Sequence, residues 1–487
     1  MILDSTTVDG DVALSSDVCV IGSGAGGAVV ARELAEAGRS VVVVEDGPYV
    51  RSGEFVQRED VMYTRIYREG GTTANAEYTV LVSQGRLVGG STVPSFCLSI
   101  RPPRAILAYW ARNFALPGVG FEAIYPHLRK VEKQIGVRRI TTEQLNANST
   151  KLLLGAEQLG YRGYLPFHNR TGCVERAGAV IIPDCEARQI VTHAGHAAGV
   201  DGLFNRSRTG TRYALKVRAK VVVLAAGAIN SPRLWQASSL PDPAQAVGRN
   251  LRLQPNVVVS ALYPEVITAW RGIPQGYVVD EFLRLDERSA GQGYLLLPTF
   301  AFPVAAASVL PGYGEQHRQL MELYPRLGAI GIFLHDHSRG RLEFSENAPP
   351  TVAYRLGGLD QEQLLDAMVQ ASELSFAAGA AKVFLPYNHV VTIRRRGAYQ
   401  AIHERGIRAN DPLFISYQPQ GTMRMGGNPR QSVVDDHGEA HMVRNLFVAD
   451  ASIFPTSVAV PPQLSVMTFA TRTAQHIIAN ARGYFGT

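Results

Sequence analysis

An apolar run, a glycine-rich turn, an amphipathic stretch and a second apolar run follow one another between residues 17 and 47. VCVIG predicts a buried strand, GSGAGG a turn, AVVARELAEAG a helix and SVVVVE a second strand. Together they form a βαβ unit. Because the first strand is apolar throughout, we expect helices on both faces of a parallel sheet. The pattern predicts an α/β fold with a Rossmann-like domain.

Two further patterns follow along the chain. Residues 187–234 alternate β-branched and polar side chains before the run VVVLAAG, which predicts a small antiparallel set that returns to the first sheet. Between residues 255 and 414, YLLLPTF, AIGIFL and GRLEF predict strands, and residues 361–379 predict a helix. We assign this part to a second, mainly antiparallel α+β domain. The last stretch predicts a strand and then a helix that begins with proline.

The glycine-rich turn has the spacing of a dinucleotide-binding motif. Gly22 permits the tight turn, Gly24 lets the backbone approach a pyrophosphate, and Gly27 lets helix and strand pack closely. The helix N-terminus, with Ala25 in its first turn, offers free N–H groups to phosphates. Glu45 closes the second strand, where it can accept hydrogen bonds from a ribose diol and would repel a 2′-phosphate. A dinucleotide other than NADP is therefore expected.

Two more segments contain small residues that suit a flat or anionic ligand. GRLVGGST (residues 85–92) offers glycines whose backbone could lie against pyrophosphate or isoalloxazine, although it could equally be an ordinary loop. VVVLAAGAINSP (residues 221–232) has Ala226 and Gly227 at a predicted strand end, where close packing explains them equally well. These residues alone leave the choice between FAD and NAD open.

Composition excludes several classes of protein. The chain has 487 residues, 46% hydrophobic and 18% charged, which is enough apolar material for a large core and two domains. A net charge of +6 on 48 basic and 42 acidic residues gives little support to a nucleic-acid partner. The apolar runs are too short to cross a bilayer, and the N-terminus lacks the pattern of a secretory signal. We expect a cytoplasmic protein without transmembrane segments.

Seven motifs in order resemble the glucose-methanol-choline (GMC) oxidoreductase family. They are GSGAGG with Glu45, GRLVGGST, AAGAINSPRLWQAS, VGRN, DHSRGRL, GTMRMGG and NLFVADASIFPTS. The resemblance spans roughly residues 17 to 480 and implies FAD, a small-molecule substrate and a discontinuous FAD-binding domain. We expect that domain at residues 1–105, 185–255 and 430–487, and the substrate-binding domain at residues 106–184 and 256–429.

The resemblance also implies positions for individual residues. Arg86, Gly89, Gly90 and Ser91 would lie along the pyrophosphate and flavin, Asp450 and Ala451 near the ribityl chain, and the helix after Pro462 would point its positive end at the flavin. No histidine stands between Ser91 and Ser99, where some relatives attach FAD covalently, so non-covalent FAD is expected. The candidate cofactor-binding residues are Gly22, Gly24, Ala25, Gly27, Glu45, Arg86, Gly89, Gly90, Ser91, Ala226, Gly227, Asp450, Ala451, Pro462 and Gln463.

The catalytic positions depart from the family pattern. A histidine usually stands in a segment like SxHxxGTxRMG, where this chain has Gln418. A second histidine or asparagine usually precedes the last helix, where this chain has Pro461, and Ser95 replaces a common asparagine. Neither an amide nor a proline can accept a proton at neutral pH. Gln418 remains a catalytic candidate, together with its neighbour Tyr417, which on an extended chain would face the opposite way.

Other histidines are also candidates for the missing base. His335 and His337 would share a strand face, but no third ligand is apparent and no metal is predicted. His389, His437 and His441 remain possible bases. Three hypotheses follow for function. The first is an FAD-dependent oxidoreductase that transfers hydride from an alcohol or related C–H donor to flavin N5. The second is a redox-neutral isomerase, lyase or cyclase, and the third is a catalytically silent FAD-binding protein.

Overall fold

The structure, a computed structural model, describes residues 1–170, 179–205, 210–345 and 348–486. The strands are β1 (Val12–Ile21), β2 (Val41–Val44), β3 (Val80–Val82), β4 (Arg138–Arg139), β5 (Gly163–Tyr164), β6 (Phe167–His168), β7 (Val180–Ile182), β8 (Cys185–His193), β9 (His196–Phe204), β10 (Ala214–Leu224), β11 (Arg249–Leu251), β12 (Asn256–Leu262), β13 (Val278–Val279), β14 (Tyr294–Pro298), β15 (Leu327–Leu334), β16 (Gly340–Glu343), β17 (Thr351–Ala353), β18 (Lys382–Leu385), β19 (Val391–Ile393), β20 (Phe414–Ser416) and β21 (Leu446–Val448). The α-helices are α1 (Ala25–Glu36), α2 (Glu59–Ile66), α3 (Arg104–Asn113), α4 (Phe121–Gln134), α5 (Ala147–Leu159), α6 (Gly227–Ala237), α7 (Pro303–Val309), α8 (Gly314–Glu322), α9 (Gly358–Ala377), α10 (Gln400–Arg405), α11 (Gln463–Ala479) and α12 (Ala481–Phe485).

The first sheet contains the predicted βαβ unit. Its strand order is β7-β2-β1-β10-β9-β8, and β21 also pairs with β10. Strands β7, β2, β1, β10 and β21 run parallel, whereas β9 and β8 add in the antiparallel sense. The alternating segment after residue 187 therefore returns to the first sheet, as expected. The predicted α/β fold class is confirmed.

Helices cover both faces of this sheet. Val18 and Val20 of β1 pack with residues of α1 and α11 in one apolar cluster. Cys19 and Ile21 face the other way, into a cluster that contains Trp110 of α3 and residues of α6. The continuous apolar run of β1 is thus used on both faces, because neighbouring side chains of a strand point in opposite directions.

The second sheet is mainly antiparallel. Its order is β19-β18-β12-β15-β14-β13-β5, with β20 beside β12 and β3 beside β20. The pair β20 and β3 is parallel, with Ser416 opposite Val82. Leu152 of α5 and Leu364 and Met368 of α9 belong to the apolar cluster of this sheet. Among the described residues, no helix is long and apolar enough to cross a membrane.

Some elements lie across the predicted domain boundaries. Strand β7 falls in the segment assigned to the substrate domain, yet it pairs with β2 of the first sheet. Strand β3 falls in the segment assigned to the FAD domain, yet it pairs with β20 of the second sheet. Hydrophobic periodicity identifies a strand but not its partner, which explains both differences.

Candidate functional site

A cavity of about 1670 Å³ opens at the carboxyl ends of the parallel strands. Residues that follow β1, β2, β10 and β21 line one side, which is where open α/β sheets bind ligands. The second sheet and the segments around α2, α7 and α8 line the rest. Its volume exceeds the roughly 300–1,000 Å³ of a site for one drug-sized ligand, so the cavity has room for a cofactor and a substrate together.

The three motif glycines have different surroundings. Gly22 has a φ of +94°, and a Cβ there would lie 2.4 Å from the Ala225 carbonyl oxygen. A Cβ on Gly27 would lie 1.9 Å from the Gly22 carbonyl oxygen. A Cβ on Gly24 would meet no protein atom within 4 Å and would enter the cavity that Gly24 lines. Gly27 is not a lining residue of the cavity, so it serves helix packing, whereas Gly24 leaves open space for a ligand.

Helix α1 begins at this turn without a side-chain cap. Gly24 is its N-cap residue, and the first turn contains no acidic side chain. Ala25 and Gly26 line the cavity. The free N–H groups of a helix N-terminus, with the positive end of the helix dipole, attract anions. This end of the cavity can therefore hold a phosphate group.

Glu45 is buried and accepts three hydrogen bonds. Its Oε2 accepts from the Ser23 backbone N–H at 2.9 Å and from Ser23 Oγ at 2.7 Å, and its Oε1 accepts from the Gly47 N–H at 2.9 Å. Burial raises the pKa of Glu45 although these bonds favour the ionised form. Since a carboxylate has about four acceptor positions, one remains for a ligand hydroxyl in the cavity that Glu45 lines.

The second glycine-rich segment is joined to the first. The Gly89 N–H donates to Ser23 Oγ at 2.9 Å, and Gly90 and Ser91 line the cavity. Gly89 itself, with a φ of +95°, does not line it. A serine inside the GSGAGG motif thus connects Glu45 to the segment expected to lie along the pyrophosphate. No sequence motif gives Ser23 this role, because only the three-dimensional structure brings these segments together.

Arg86 is turned away from the position expected for it. Its Nε lies 2.9 Å from Asp46 Oδ2, its Nη2 donates to Asp46 Oδ1 at 3.0 Å, and it does not line the cavity. Arg68 pairs with the same carboxylate at 2.8 Å. Burial raises the pKa of Asp46, but the hydrogen bond from Arg86 and the charges of both arginines outweigh it and hold the pKa well below its usual range. The prediction that Arg86 lies along the pyrophosphate is not supported by this geometry.

Asp450 connects two other elements at the cavity. Its carboxylate accepts from the Gly227 N–H at 2.8 Å, from Ser231 Oγ at 2.5 Å and from the Ser452 N–H at 2.8 Å. Burial raises its pKa. Ala226, Gly227, Asp450 and Ala451 all line the cavity.

Helix α11 also points its uncapped N-terminus at the cavity. Pro462 is its N-cap residue, no side chain caps it, and Pro461, Pro462 and Gln463 line the cavity. Ser95 lines it as well. The positive end of α11 therefore faces the same cavity as that of α1, although the two helices are more than four hundred residues apart in sequence.

Gln418 and Tyr417 both line the cavity, which corrects the expectation that they face opposite ways. The chain bends at Tyr417, directly after β20, and is no longer extended there. Half of the Tyr417 surface is open to the cavity, near Tyr63 and Tyr67, whose rings stack at 4.8 Å. Enclosure by protein raises the pKa of Tyr417, and the neighbouring phenols act in the same direction. Tyr417 is therefore a neutral phenol.

The other candidate histidines do not line the cavity. His335 Nε2 lies 3.2 Å from the Ala290 carbonyl oxygen, and burial lowers the pKa of His335 to about 3. His337 Nε2 lies 2.8 Å from the Gly291 carbonyl oxygen. His389 and His441 lie elsewhere as well. His317 on α8, which no sequence motif distinguishes, does line the cavity.

His437 belongs to a small acidic group away from the cavity. Ligand atoms of Asp435, Asp436 and His437 lie within 4.8 Å of one another. Arg472 pairs with Asp436 at 2.7 Å, and His437 Nδ1 lies 2.9 Å from the same carboxylate. Asp436 thus already has a cationic partner within the protein.

Comparison with known proteins identifies the family. Models of the GMC oxidoreductase family match residues 63–173 and 168–256 for the N-terminal part and 336–470 for the C-terminal part, and an FAD-binding domain model matches residues 17–56. An uncharacterised GMC-type oxidoreductase of Mycobacterium tuberculosis is 31% identical over 96% of this chain and 76% of its own length. The chain belongs to the GMC oxidoreductase family. This GMC oxidoreductase is an FAD-dependent enzyme.

More distant relatives agree in fold. A long-chain-alcohol oxidase of Arabidopsis thaliana is 26% identical over 96% of this chain and 69% of its own length. The solved structure of pyridoxine 4-oxidase from Mesorbium loti matches with a TM-score of 0.72 at 18% identity, over 94% of this chain and 98% of that one. Formate oxidase matches with a TM-score of 0.72 at 16% identity, over 98% of this chain and all of that one (100%).

The residues of the GMC oxidoreductase fit FAD. The open space at Gly24 and the uncapped start of α1 suit a pyrophosphate, and the uncapped start of α11 suits the negative charge of a reduced flavin. Both helix starts open on the same cavity. When bound there, FAD supplies an acceptor for a hydride.

Proposed function

We propose that this GMC oxidoreductase oxidises an alcohol, or a related C–H donor, on a small organic molecule, with the hydride passing to N5 of non-covalent FAD. The observation that carries the proposal is the continuous cavity. It joins the phosphate-binding turn at Gly24 to a chamber that Gln418 and the start of α11 line. A cofactor at one end can thus meet a substrate at the other without leaving the protein.

The chamber favours a substrate with an alkyl part. Its walls around α7 and α8 are apolar, and they include Phe96, Phe300, Phe302, Leu310 and Tyr313. Apolar walls favour burial of alkyl surface at roughly 25 cal/mol per Å². The similarity to plant long-chain-alcohol oxidases supports the same substrate class.

Roles for the cavity residues follow from their positions. The α1 N-terminus with Gly24 would hold the pyrophosphate, Glu45 the ribose, Gly90 and Ser91 the central part of FAD, and Asp450 with Ala451 the ribityl region. Gln418 would orient the substrate through its amide, because an amide cannot take the hydroxyl proton at neutral pH. The proton must therefore leave to a group other than a side chain at position 418 or 461.

A direct test uses FAD-loaded protein in an anaerobic solution. Linear primary alcohols from butanol to hexadecanol are added, and the absorption band of oxidised flavin is followed. A rate of flavin bleaching that increases with the length of the alkyl chain supports the proposal. No bleaching with any of these alcohols, or with their branched and cyclic counterparts, would count against it.

A redox-neutral reaction is the second candidate, and the absence of a proton acceptor at Gln418 and Pro461 favours it. An isomerase, lyase or cyclase would turn over substrate with no electron acceptor present. Strict dependence of turnover on oxygen or an artificial acceptor dye would exclude this candidate.

A further inference from the structure

Two glutamines stand at equivalent places on neighbouring strands of the second sheet. Strands β3 and β20 are parallel, with Val82 opposite Ser416. The pairing continues for one residue, because the Ser83 N–H donates to the Ser416 carbonyl oxygen at 2.8 Å. Gln84 and Gln418 each follow that pair by two residues, and both line the cavity. The pairing stops there, because the chain bends at Tyr417, but it places the segments that carry Gln84 and Gln418 side by side although they are far apart in sequence.

Neither side-chain amide has a hydrogen-bond partner among the described residues. The Oε1 atoms of Gln84 and Gln418 are enclosed and have no hydrogen-bond donor within the described part of the chain. Their Nε2 atoms are not enclosed and make no hydrogen bond to described residues. Gln84 Nε2 lies 3.9 Å from where a Cβ on Gly227, another lining residue, would stand. The amide nitrogens are thus the ends presented to the cavity.

The charged side chains of the cavity wall are already paired. Arg68 is bound to Asp46, Arg58 to Asp60, and Arg188 and Arg233 to Glu186. Glu59, Glu45 and Asp450 accept hydrogen bonds from protein groups. Within the described residues, each arginine of the wall has a carboxylate partner, so the wall offers no unpaired arginine to a carboxylate substrate. The amide nitrogens of Gln84 and Gln418 add a pair of neutral N–H donors to this wall.

We propose that Gln84 and Gln418 form a binding site for one oxygen atom of a neutral substrate, each amide nitrogen donating a hydrogen bond to that atom. The inference rests on the proposed function for placing substrate at this wall. It adds the substrate class, a neutral alcohol or the carbonyl compound derived from it, and a positioning role for Gln84. Two donors on the oxygen hold the carbon that bears it at a fixed place above the cofactor site, and they favour the carbonyl form, whose oxygen is purely an acceptor.

Binding of an unreactive analogue tests the site without turnover. Octanamide carries a strong acceptor oxygen and an alkyl chain, and its binding to oxidised, FAD-loaded protein is followed through the flavin absorption spectrum. We expect saturable binding, weakened about three- to ten-fold by Gln84→Met and by Gln418→Met. Gln57→Met makes the same chemical change at an exposed part of the cavity rim and should leave binding unchanged. Octanoate should not compete with octanamide.

Folding is checked by FAD content and thermal midpoint for each variant. If a methionine variant loses FAD, the asparagine variants Gln84→Asn and Gln418→Asn are used in its place. Because the asparagine side chain is one methylene shorter, its amide should reach octanamide less well and bind it more weakly. The inference is overturned if Gln84→Met binds octanamide as tightly as the unaltered protein, if Gln57→Met weakens binding equally, or if octanoate competes as well as octanamide. A third outcome is that octanamide binds as expected but no alcohol bleaches the flavin. That result would contradict the proposed function while still supporting this binding site.

Discussion

Ser95 Oγ donates a hydrogen bond to Gln463 Oε1 at 2.9 Å. The bond connects the segment that follows the second glycine-rich loop to the first residue of α11, and both side chains line the cavity. Ser95 Oγ also accepts from the Cys97 N–H at 3.3 Å, so its own proton is directed to Gln463. Ser95 and Gln463 therefore hold the start of α11 against the loop that lies beside it.

Replacing Ser95 by alanine should loosen this connection. Loss of one hydrogen bond is worth about 1 kcal/mol, so we expect FAD to bind roughly five-fold more weakly to Ser95→Ala. The measurement is a fluorescence titration of apoprotein with FAD. Ser289→Ala, on an exposed loop where Ser289 Oγ donates to Asp286 and accepts from the Gly291 N–H, is the control and should bind FAD normally. Equal affinities for all three proteins would show that the bond does not support cofactor binding.

Replacing a motif glycine by alanine should weaken FAD binding at one position and destabilise the fold at another. Gly24→Ala places its Cβ in open space within the cavity, so the apoprotein should fold with unchanged stability but bind FAD at least ten-fold more weakly. Gly27→Ala drives a Cβ to 1.9 Å from the Gly22 carbonyl oxygen, and such overpacking costs about 1–3 kcal/mol or more. Thermal unfolding of the apoproteins and FAD titrations separate the two effects. A stable Gly27→Ala protein, or a Gly24→Ala protein with normal FAD affinity, would contradict these roles.

Local patterns predicted the βαβ unit of the first sheet and the glycine turn, because each depends on residues within about thirty positions of one another. The return of the segment after residue 187 to that sheet was also expected, but individual side-chain partners over long distances in sequence were not predictable. Arg86 carries no sign that its partner is Asp46 rather than a phosphate, and Tyr417 gave no sign of the bend that turns it toward the cavity. Gln84 was overlooked because an amide in a loop has no distinctive pattern, and only the parallel pairing of β3 with β20 brings it near Gln418.

Restoring an imidazole should change the response to pH. Gln418→His places a proton acceptor where the family usually has one, and a general base contributes roughly 100-fold or more to such a step. Because only neutral imidazole accepts a proton, the rate of flavin reduction by an alcohol should be low at acid pH and rise through about pH 6.5. Anaerobic stopped-flow measurements from about pH 5 to 9 report this rate. Gln418→Asn is the control and should lack that rise, and a flat profile for the histidine variant would contradict the placement of position 418 beside the substrate.

Glu59 connects two segments at the cavity rim. Its carboxylate accepts from the Val304 N–H at 2.7 Å and from the Ala305 N–H at 3.1 Å, and so caps α7, which has no cap of its own. Loss of such a cap costs about 0.5–2 kcal/mol, so Glu59→Ala should speed amide hydrogen exchange in α7 while exchange in β1 stays unchanged. Glu54→Ala removes an exposed partner of Arg65 and serves as the control. Unaltered exchange in α7 of the Glu59 variant would show that the cap does not stabilise this wall.

Asp46 should make stability depend on acid pH. Burial of its carboxylate opposes ionisation, but Arg86 and Arg68 outweigh burial and lower its pKa in the folded protein. A lowered folded-state pKa means that the stabilisation is complete above the unfolded value of about 4 and is lost as the pH falls through the folded value. The difference in thermal midpoint between the unaltered protein and Asp46→Asn should therefore be constant near neutral pH and shrink progressively below about pH 4. Asp9→Asn, at an exposed position, provides the control and should show no such trend. A difference that stays constant or widens as acid is added would mean that the Arg86 pair does not hold Asp46 in its charged form.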